Sequence, residues 1–405
     1  MPVMPGRRDP LRRDIDEVIR RDLCSGCGVC ELISDRVTMT DQDGFRRPAV
    51  TGEAEVDVAE RARRFASSCP GRVVLAQRPE GSSRDDFLGP ITGAWSAWAT
   101  DPAVRYAGSS GGTLTAIAQH LAAKGATVSS VAASPQNPRR TVPVQIMSRE
   151  EALASAGSRY APVSAGGRVA EGASVMVGKP CEASARRALD EATGEGSPVM
   201  LSFFCAGTPS QGATDALLEK NGIGREDVVD DLVYRGRGWP GDFYARAPDG
   251  RTVAVDYTTS WGRSLGPAVQ WRCRLCVDGV GESADITAGD YWESDERGYP
   301  LFDDAAGRSA LIARTARGLE IVQECIESGV LEVAPLDIDA LLGVQRYQVE
   351  RRKYLVGRLM GNRVTGGRNP RYRGFNLWWL VRRSPIRLFH EIRGTVARAR
   401  RHRSS

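Results

Sequence analysis

The chain has 405 residues, 41% hydrophobic and 26% charged, the composition of a globular protein and not of a disordered or fibrous one. That length exceeds one ordinary core and implies two or three domains. No window holds the ~18 uninterrupted apolar residues of a membrane span, and the charged first twenty residues lack a signal peptide's apolar core, so the expectation is a cytoplasmic protein.

The net charge of +5 is unevenly placed: residues 371–405 hold ten Arg and one Glu, which leaves the rest of the chain net acidic. Four Lys against fifty-one Arg reflects a GC-rich coding bias. Nine cysteines in a cytoplasmic chain point to metal or redox chemistry, because the cytosol keeps thiols reduced.

The first chemical signal along the chain is LCSGCGVCELI, residues 23–33, which sets Cys24, Cys27 and Cys30 three apart. Such a run lets one loop wrap three corners of a cubane with backbone N–H groups facing its sulfurs. In the bacterial ferredoxin pattern the fourth cysteine would fall at position 34, which is Ser34. The only Cys-Pro is Cys69-Pro70, at the close of a polar segment. Cys24, Cys27, Cys30 and Cys69 are therefore assigned to one [4Fe–4S] cluster, with zinc as the alternative.

Residues 92–107 carry aromatic and turn signals, and GSSGG, residues 108–112, then opens a helix. In that helix Leu114, Ile117, Ala118, Leu121 and Ala122 recur at helical spacing, with Gly125 as its C-terminal stop. A glycine-rich loop before a helix offers free N–H groups to a phosphate; a plain turn with Ser caps reads equally well. The loop also matches the G-x-S-x-G elbow of hydrolases, but His120, His390 and His402 are the only histidines and none is placed for a triad.

Two strand-like runs, 126–134 and 141–147, and a short helix at 149–157 follow. Residues 173–191 and 197–220 then each read as strand, turn, helix, and their strands end near Cys181 and Cys205. Strand carboxyl ends are where open α/β sheets hold ligands, so these two thiols are expected on one edge. A hairpin is expected at 243–257, and a strand then an amphipathic helix at 309–329, where Cys325 is a core thiol. Cys273 and Cys276 in WRCRLC complete a second group of four with Cys181 and Cys205; from spacing alone, structural zinc or unrelated thiols read as well as a cluster.

The ordered series CSGCGVC, SSCP, GSSGGTLTAIA, GSRYAPV, VGKPCEASA, FFCAGTPS, YRGRGWPG, WRCRLC and ADITAGDYW resembles the beta subunits of coenzyme F420 hydrogenases and dehydrogenases, over about residues 20–345. The resemblance implies an oxidoreductase with an α/β fold: a small N-terminal iron–sulfur segment (1–90), a mixed-sheet flavin-binding α/β domain that holds a second cluster (91–345), and here a basic helical tail (346–405). The ferredoxin-dependent reductase of hydroxymethyl chlorophyll, with two [4Fe–4S] clusters, is similar in cysteine content. Both its cysteine sets find matches, as Cys24, Cys27, Cys30 and Cys69, then Cys181, Cys205, Cys273 and Cys276. FAD (or FMN) is the implied flavin, lined by Gly108, Ser109, Ser110, Gly111, Gly112 and Thr113 and by Ser158, Arg159 and Tyr160; Lys is more usual at the position of Arg159. Asp285 and Asp290 are implied to shape the second cluster or the flavin edge.

The implied activity is electron transfer between coenzyme F420, as substrate, and the clusters through the flavin. The alternatives are a ferredoxin-dependent reductase of an organic substrate and an electron-transfer subunit of a larger complex. The expected partner is a redox protein such as ferredoxin, or another subunit. In the tail, Phe375, Leu377, Trp378, Trp379, Leu380, Ile386, Leu388 and Phe389 interleave with Arg, and Pro385 breaks the run. That pattern suits peripheral contact with the inner membrane surface, an acidic partner, or docking on the body. No specific nucleic acid is expected.

Overall fold

The computed structural model describes residues 9–292, 306–382 and 384–404, so the first eight of the twenty residues read for a signal peptide lie outside it. Its centre is an eight-stranded mixed sheet. Four strands, Val128–Ala133, Val175–Gly178, Val199–Phe203 and Ile286–Tyr291, run parallel, as the strand-turn-helix units require. Thr141–Ile146 closes one edge antiparallel; Arg308–Ala313, Gly93–Ala99 and Leu331–Pro335 extend the other. The α/β expectation holds, with a reason in the residues. Val175, Met176, Met200, Leu201 and Ile286 are almost fully buried, as interior strands covered by helices must be.

The paired units fold as read. Val175–Gly178 leads into helix Pro180–Thr193, and Val199–Phe203 into helix Gln211–Lys220. Helix Thr113–Ala123 ends on Gly125 in the left-handed region, the usual helix stop. Phe243–Arg246 and Thr252–Val255 form the expected hairpin, and Cys325 is fully buried in helix Ala316–Glu327.

Two stretches hold more structure than their patterns suggest. The polar segment before Cys69 contains a hairpin, Val37–Gln42 with Phe45–Val50, and helix Val58–Ser68. That helix is hidden by its Arg and Ser content, yet it buries Val58, Ala62 and Phe65 on one face. The turn-rich stretch 92–107 supplies a sheet strand, Gly93–Ala99, and helix Pro102–Ala107.

The tail packs on the body. Arg371–Arg373 pairs in parallel with Val73–Leu75, and helix Pro385–Ser404 lies along helix Leu355–Val364. Gly357 and Gly361 allow that approach, because a Cβ on either would stand 2.7–2.8 Å from the facing helix. Ala399 joins the core that holds Leu11, Ile15 and Phe65. Leu377–Val381 is a separate short helix, so the chain breaks before Pro385.

Candidate functional site

The first cysteine run forms a loop after helix Pro10–Arg20 and turns through Gly26 and Gly28, both at positive φ. Gly28 is required twice over, since a Cβ there would also stand 2.8 Å from the Ser164 side chain. Residues 164–166 pin the loop, through Ser164 Oγ to the Gly26 carbonyl (3.0 Å) and the Gly166 N–H to the Cys27 carbonyl (3.1 Å). Cys69 sits at the C-terminal end of helix Val58–Ser68, facing the loop. Cys24, Cys27, Cys30 and Cys69 border one small cavity walled by Ile15, Val18, Val29 and Phe65. The Gly26 N–H donates to Cys24 Sγ at 3.4 Å, the kind of contact a cluster loop makes to sulfur.

All these thiols are free. Burial pushes Cys27 up to about 11, and Cys24 adds to the shift. Cys30 and Cys69 are also raised, first by burial and then by Cys27 and Cys24. A dry pocket of mutually interfering thiols becomes stable as thiolates only when cations enter. The four thiols border the cavity from the loop and from the helix end, and a cubane takes one thiolate on each of its irons.

Tertiary structure assembles the second set. Cys181 stands in the first turn of helix Pro180–Thr193 and Cys205 just beyond strand Val199–Phe203. These strands are parallel neighbours, Ser202 opposite Gly178, so both thiols lie at one sheet edge as expected. Cys273 lies in the helical turn Trp271–Arg274, with Cys276 just after it. Burial raises Cys205 to about 12, and Cys273 and Cys276 add to the shift against Arg351. Cys181 is raised by burial, then by Glu182, with Cys27 and Cys205 both contributing. Cys181 therefore lies between the two sets.

The turn carrying Cys273 is strapped to the first set. Gln270 Nε2 donates to the Ser25 carbonyl at 2.9 Å, and Arg272 Nη2 to the Pro70 carbonyl at 2.8 Å. Arg272, Arg314, Arg351 and Arg352 are among the largest fully buried side chains, and they divide into two kinds. Arg352 pairs with Glu282 at 2.5 Å; Arg314 donates to Thr287 and to the carbonyls of Leu88, Pro90 and Val280. Arg272 and Arg351 have no carboxylate partner among the described residues, and the Nε of each is buried without a hydrogen bond. Arg351 donates to the carbonyls of Cys205 and Ala206 and to the Tyr347 hydroxyl, as Arg272 does to Pro70, and the charged or ionisable groups around them are Tyr372, Cys276, Cys181 and Cys273 for Arg272 and Tyr347, Cys276 and Cys205 for Arg351. A buried guanidinium with no carboxylate beside it keeps an uncompensated charge, which costs several kcal/mol unless an anion faces it. A thiolate-ligated cluster is such an anion, so the residues fit the group. Sequence reasoning misses both arginines, hidden among fifty-one; in WRCRLC the signal is carried by Cys273 and Cys276 and not by Arg272.

The motifs assigned to the flavin also meet. Ser109 Oγ and Ser158 Oγ are 2.7 Å apart, and the Arg235 carbonyl accepts from Ser109 Oγ and from the Ser158 N–H. Gly111 is forced by the sheet, since a Cβ would stand 2.5 Å from the Ala97 carbonyl. Ser110 Oγ bonds the Arg308 carbonyl, and Thr113 is buried at the head of a helix whose N-cap, Gly112, gives no side-chain cap. That end keeps donors and a positive dipole for an anion. Tyr160 packs on Trp261 with ring centres 4.6 Å apart. Arg159, expected among the residues that line the flavin, has its charge engaged by neighbouring backbone instead. Its guanidinium donates to Thr141 and to the carbonyls of Leu232, Pro138 and Arg140, so it braces backbone. A buried cation at this region is Arg235, paired with Asp290 at 2.5 Å and lying over the Tyr257 ring. It lies in YRGRGWPG, a motif quoted without a role. Asp285, in contrast, accepts from the Met200 N–H, Arg187, Thr315 and Arg317, and so braces the sheet.

The chain matches known protein families over most of its length. Residues 18–75 match a 4Fe-4S single cluster domain. Residues 94–168 and 173–339 match the N-terminal and C-terminal parts of the coenzyme F420 hydrogenase/dehydrogenase beta subunit. The coenzyme F420 hydrogenase subunit beta of Methanococcus voltae is 27% identical over 227 residues, 51% of this chain and 71% of that protein. A chain of the F420-reducing [NiFe] hydrogenase complex from Methanosarcina barkeri, in a xenon derivative, is similar over 71% of this chain and 98% of its own, at 21% identity and TM-score 0.48. With both halves of the family pattern present in order behind a 4Fe-4S domain, the chain belongs to the coenzyme F420 hydrogenase/dehydrogenase beta subunit family, an iron–sulfur oxidoreductase family.

Proposed function

We propose that the protein is an iron–sulfur flavoprotein that passes electrons between coenzyme F420 and two [4Fe–4S] clusters through a bound FAD or FMN. Cys24, Cys27, Cys30 and Cys69 hold the first cluster, and Cys181, Cys205, Cys273 and Cys276 the second. The observation that carries this reading is the pair of buried guanidinium groups, Arg272 and Arg351, that have cysteines and no carboxylate around them. Arg272 also binds the carbonyl of Pro70, the residue after Cys69, while neighbouring Cys273 in the chain, so it serves both sets. When bound, the flavin supplies hydride exchange on one side and single-electron exchange on the other. In this chain the N terminus of helix Thr113–Ala123 would hold the flavin's phosphate, with the loop fixed by the Ser109–Ser158 contact and Arg235 paired with Asp290 beside it. In this reading residues 1–90 hold the first cluster, 91–345 the flavin and second cluster, and 346–405 form a helical, basic tail. The electron partner is another subunit or a ferredoxin-like protein.

Anaerobically purified protein should carry ~8 iron atoms per chain and flavin absorption over a broad cluster shoulder. Reduced coenzyme F420 should bleach the flavin. A colourless zinc protein overturns the whole reading; a loaded flavin that fails to bleach leaves ferredoxin-linked reduction of an organic substrate.

The tail's outer face is read as contacting anionic lipid. Trp378, Trp379, Ile386 and Phe389 are each more than half exposed, and Arg382 and Arg393 lie over Trp379 and Phe389. Such a face suits the boundary between headgroups and acyl chains. No helix among the described residues is long and apolar enough to cross a membrane. The protein should co-sediment with phosphatidylglycerol vesicles but not phosphatidylcholine ones, and W378S/W379S should abolish it; no sedimentation with either overturns the assignment.

A further inference from the structure

The seam between tail and body encloses a cavity of about 340 Å³, at the lower end of the range for small-ligand sites. One wall is aromatic, from Trp261, Trp271 and Tyr347, and Cys273 lies in its lining. The remaining wall is charged in one sense. Arg274, Arg358 and Arg398 face the space, and Glu391 is the only carboxylate among the lining residues. Glu391 is shared: it lies 3.2 Å from Arg358, 3.9 Å from Arg398 and 3.9 Å from Arg387, outside the cavity. Arg274 has no carboxylate partner among the described residues and donates to the Pro267 carbonyl at 2.6 Å. The crowding shows in Arg398, whose pKa is lowered by burial and, against Glu391, by Arg358 and Arg274. Three half-buried guanidinium groups around one carboxylate leave a positive concavity, which costs stability in the empty protein and favours an incoming anion.

We infer that this cavity binds a small, multiply charged organic anion with a planar body, its acid groups on Arg274, Arg358 and Arg398 and its plane against Trp261 and Tyr347. Trp261, Trp271, Cys273 and Arg274 lie in the part of the chain that matches the family, whereas Arg358, Glu391 and Arg398 lie beyond residue 339, so the tail completes the site. The inference rests on the two-cluster reading in one respect only: if Cys273 holds iron, the anion sits beside the second cluster and is a candidate small-molecule redox substrate.

The test is calorimetric titration of the full-length, anaerobically prepared protein with benzene-1,3-dicarboxylate and with citrate, with iron measured on the same sample. Saturable one-to-one binding is expected, tighter for planar benzene-1,3-dicarboxylate than for non-planar citrate, and weakened about tenfold by Arg398→Gln, since one charge-assisted hydrogen bond is lost. Arg398 sits on the tail helix and its hydrogen-bond acceptor is Thr395, so this change spares the core. Glu391→Gln removes the competing carboxylate and should tighten binding, a sign that a folding defect cannot imitate. Failure of both probes to saturate, or shifts of the same sign in the two variants, overturns the proposal. Binding in protein lacking iron at the second set would leave the pocket standing and remove the cluster beside it; iron present without binding would do the reverse.

Discussion

The two cysteine sets are built by different means. Three thiols of the first lie within residues 24–30, on one loop whose glycines let it turn, and a helix end brings the fourth. The second draws Cys181 and Cys205 from neighbouring strand ends and Cys273 and Cys276 from a turn far along the chain. A local loop can form its site with few long-range contacts, whereas a site across a sheet edge exists only when the sheet does. The buried arginines divide in a similar way: all four bond backbone carbonyls, but Arg352 and Arg314 have Glu282 and Asp278 as charge neighbours, while Arg272 and Arg351 have cysteines.

The sharpest way to break this comparison is to remove one thiol from each set. Cys69→Ser should lower iron from ~8 to ~4 per chain and leave the second cluster's spectrum intact, and Cys276→Ser should do the converse. Loss of both clusters from either change would show that the sets are not independent.

Next comes the structural arginine group. Glu282 is 1% exposed and bonded to both Arg84 and Arg352, so Glu282→Gln should destabilise the protein by about 3–5 kcal/mol in denaturant unfolding. Burial works to raise the Glu282 carboxyl, but Arg352 and Arg84 outweigh it and hold it below its ordinary 4.5. A lowered folded value means this stability is complete above pH 4.5 and is lost as pH falls through the folded value. The variant should lack that part of the acid transition.

A smaller effect separates the other two arginines. With the clusters loaded, Arg272→Gln should lower both midpoint potentials, because a buried cation favours the more negative, reduced state; about a tenfold change in the reduction equilibrium is ~59 mV. Arg351→Gln should move only the second. Equal shifts from both substitutions would erase the distinction between shared and single counter-ions. The smallest effect is expected at the ninth thiol: Cys325→Ala should cost about 1 kcal/mol in thermal unfolding and leave iron content unchanged.

Much of this was legible in the residues. The strand-turn-helix pairs were readable because apolar runs of strand length are followed by helical periodicity, and Cys181 and Cys205 could be placed by the rule for strand ends. Helix Val58–Ser68 escaped because its buried face is narrow among Arg, Glu and Ser, and strand Gly93–Ala99 because its Trp, Ser and Ala residues do not alternate cleanly. Arg159 drew attention through its position in a motif, but its charge is turned onto carbonyls, and Arg235 occupies the place facing Asp290. Among side chains of one type, sequence gives no sign of which will be buried.

By itself the sequence determined the chemistry available: a contiguous thiol triplet, a Cys-Pro partner, a glycine loop before a helix and a basic aromatic tail. These are local properties of spacing and composition. Tertiary structure alone decided which thiols share a neighbourhood, that Arg272 and Arg351 are buried against them, and that the tail folds back to enclose a positive cavity at Cys273. Burial and electrostatic partnership depend on distances between residues far apart in the chain, and only packing sets those distances.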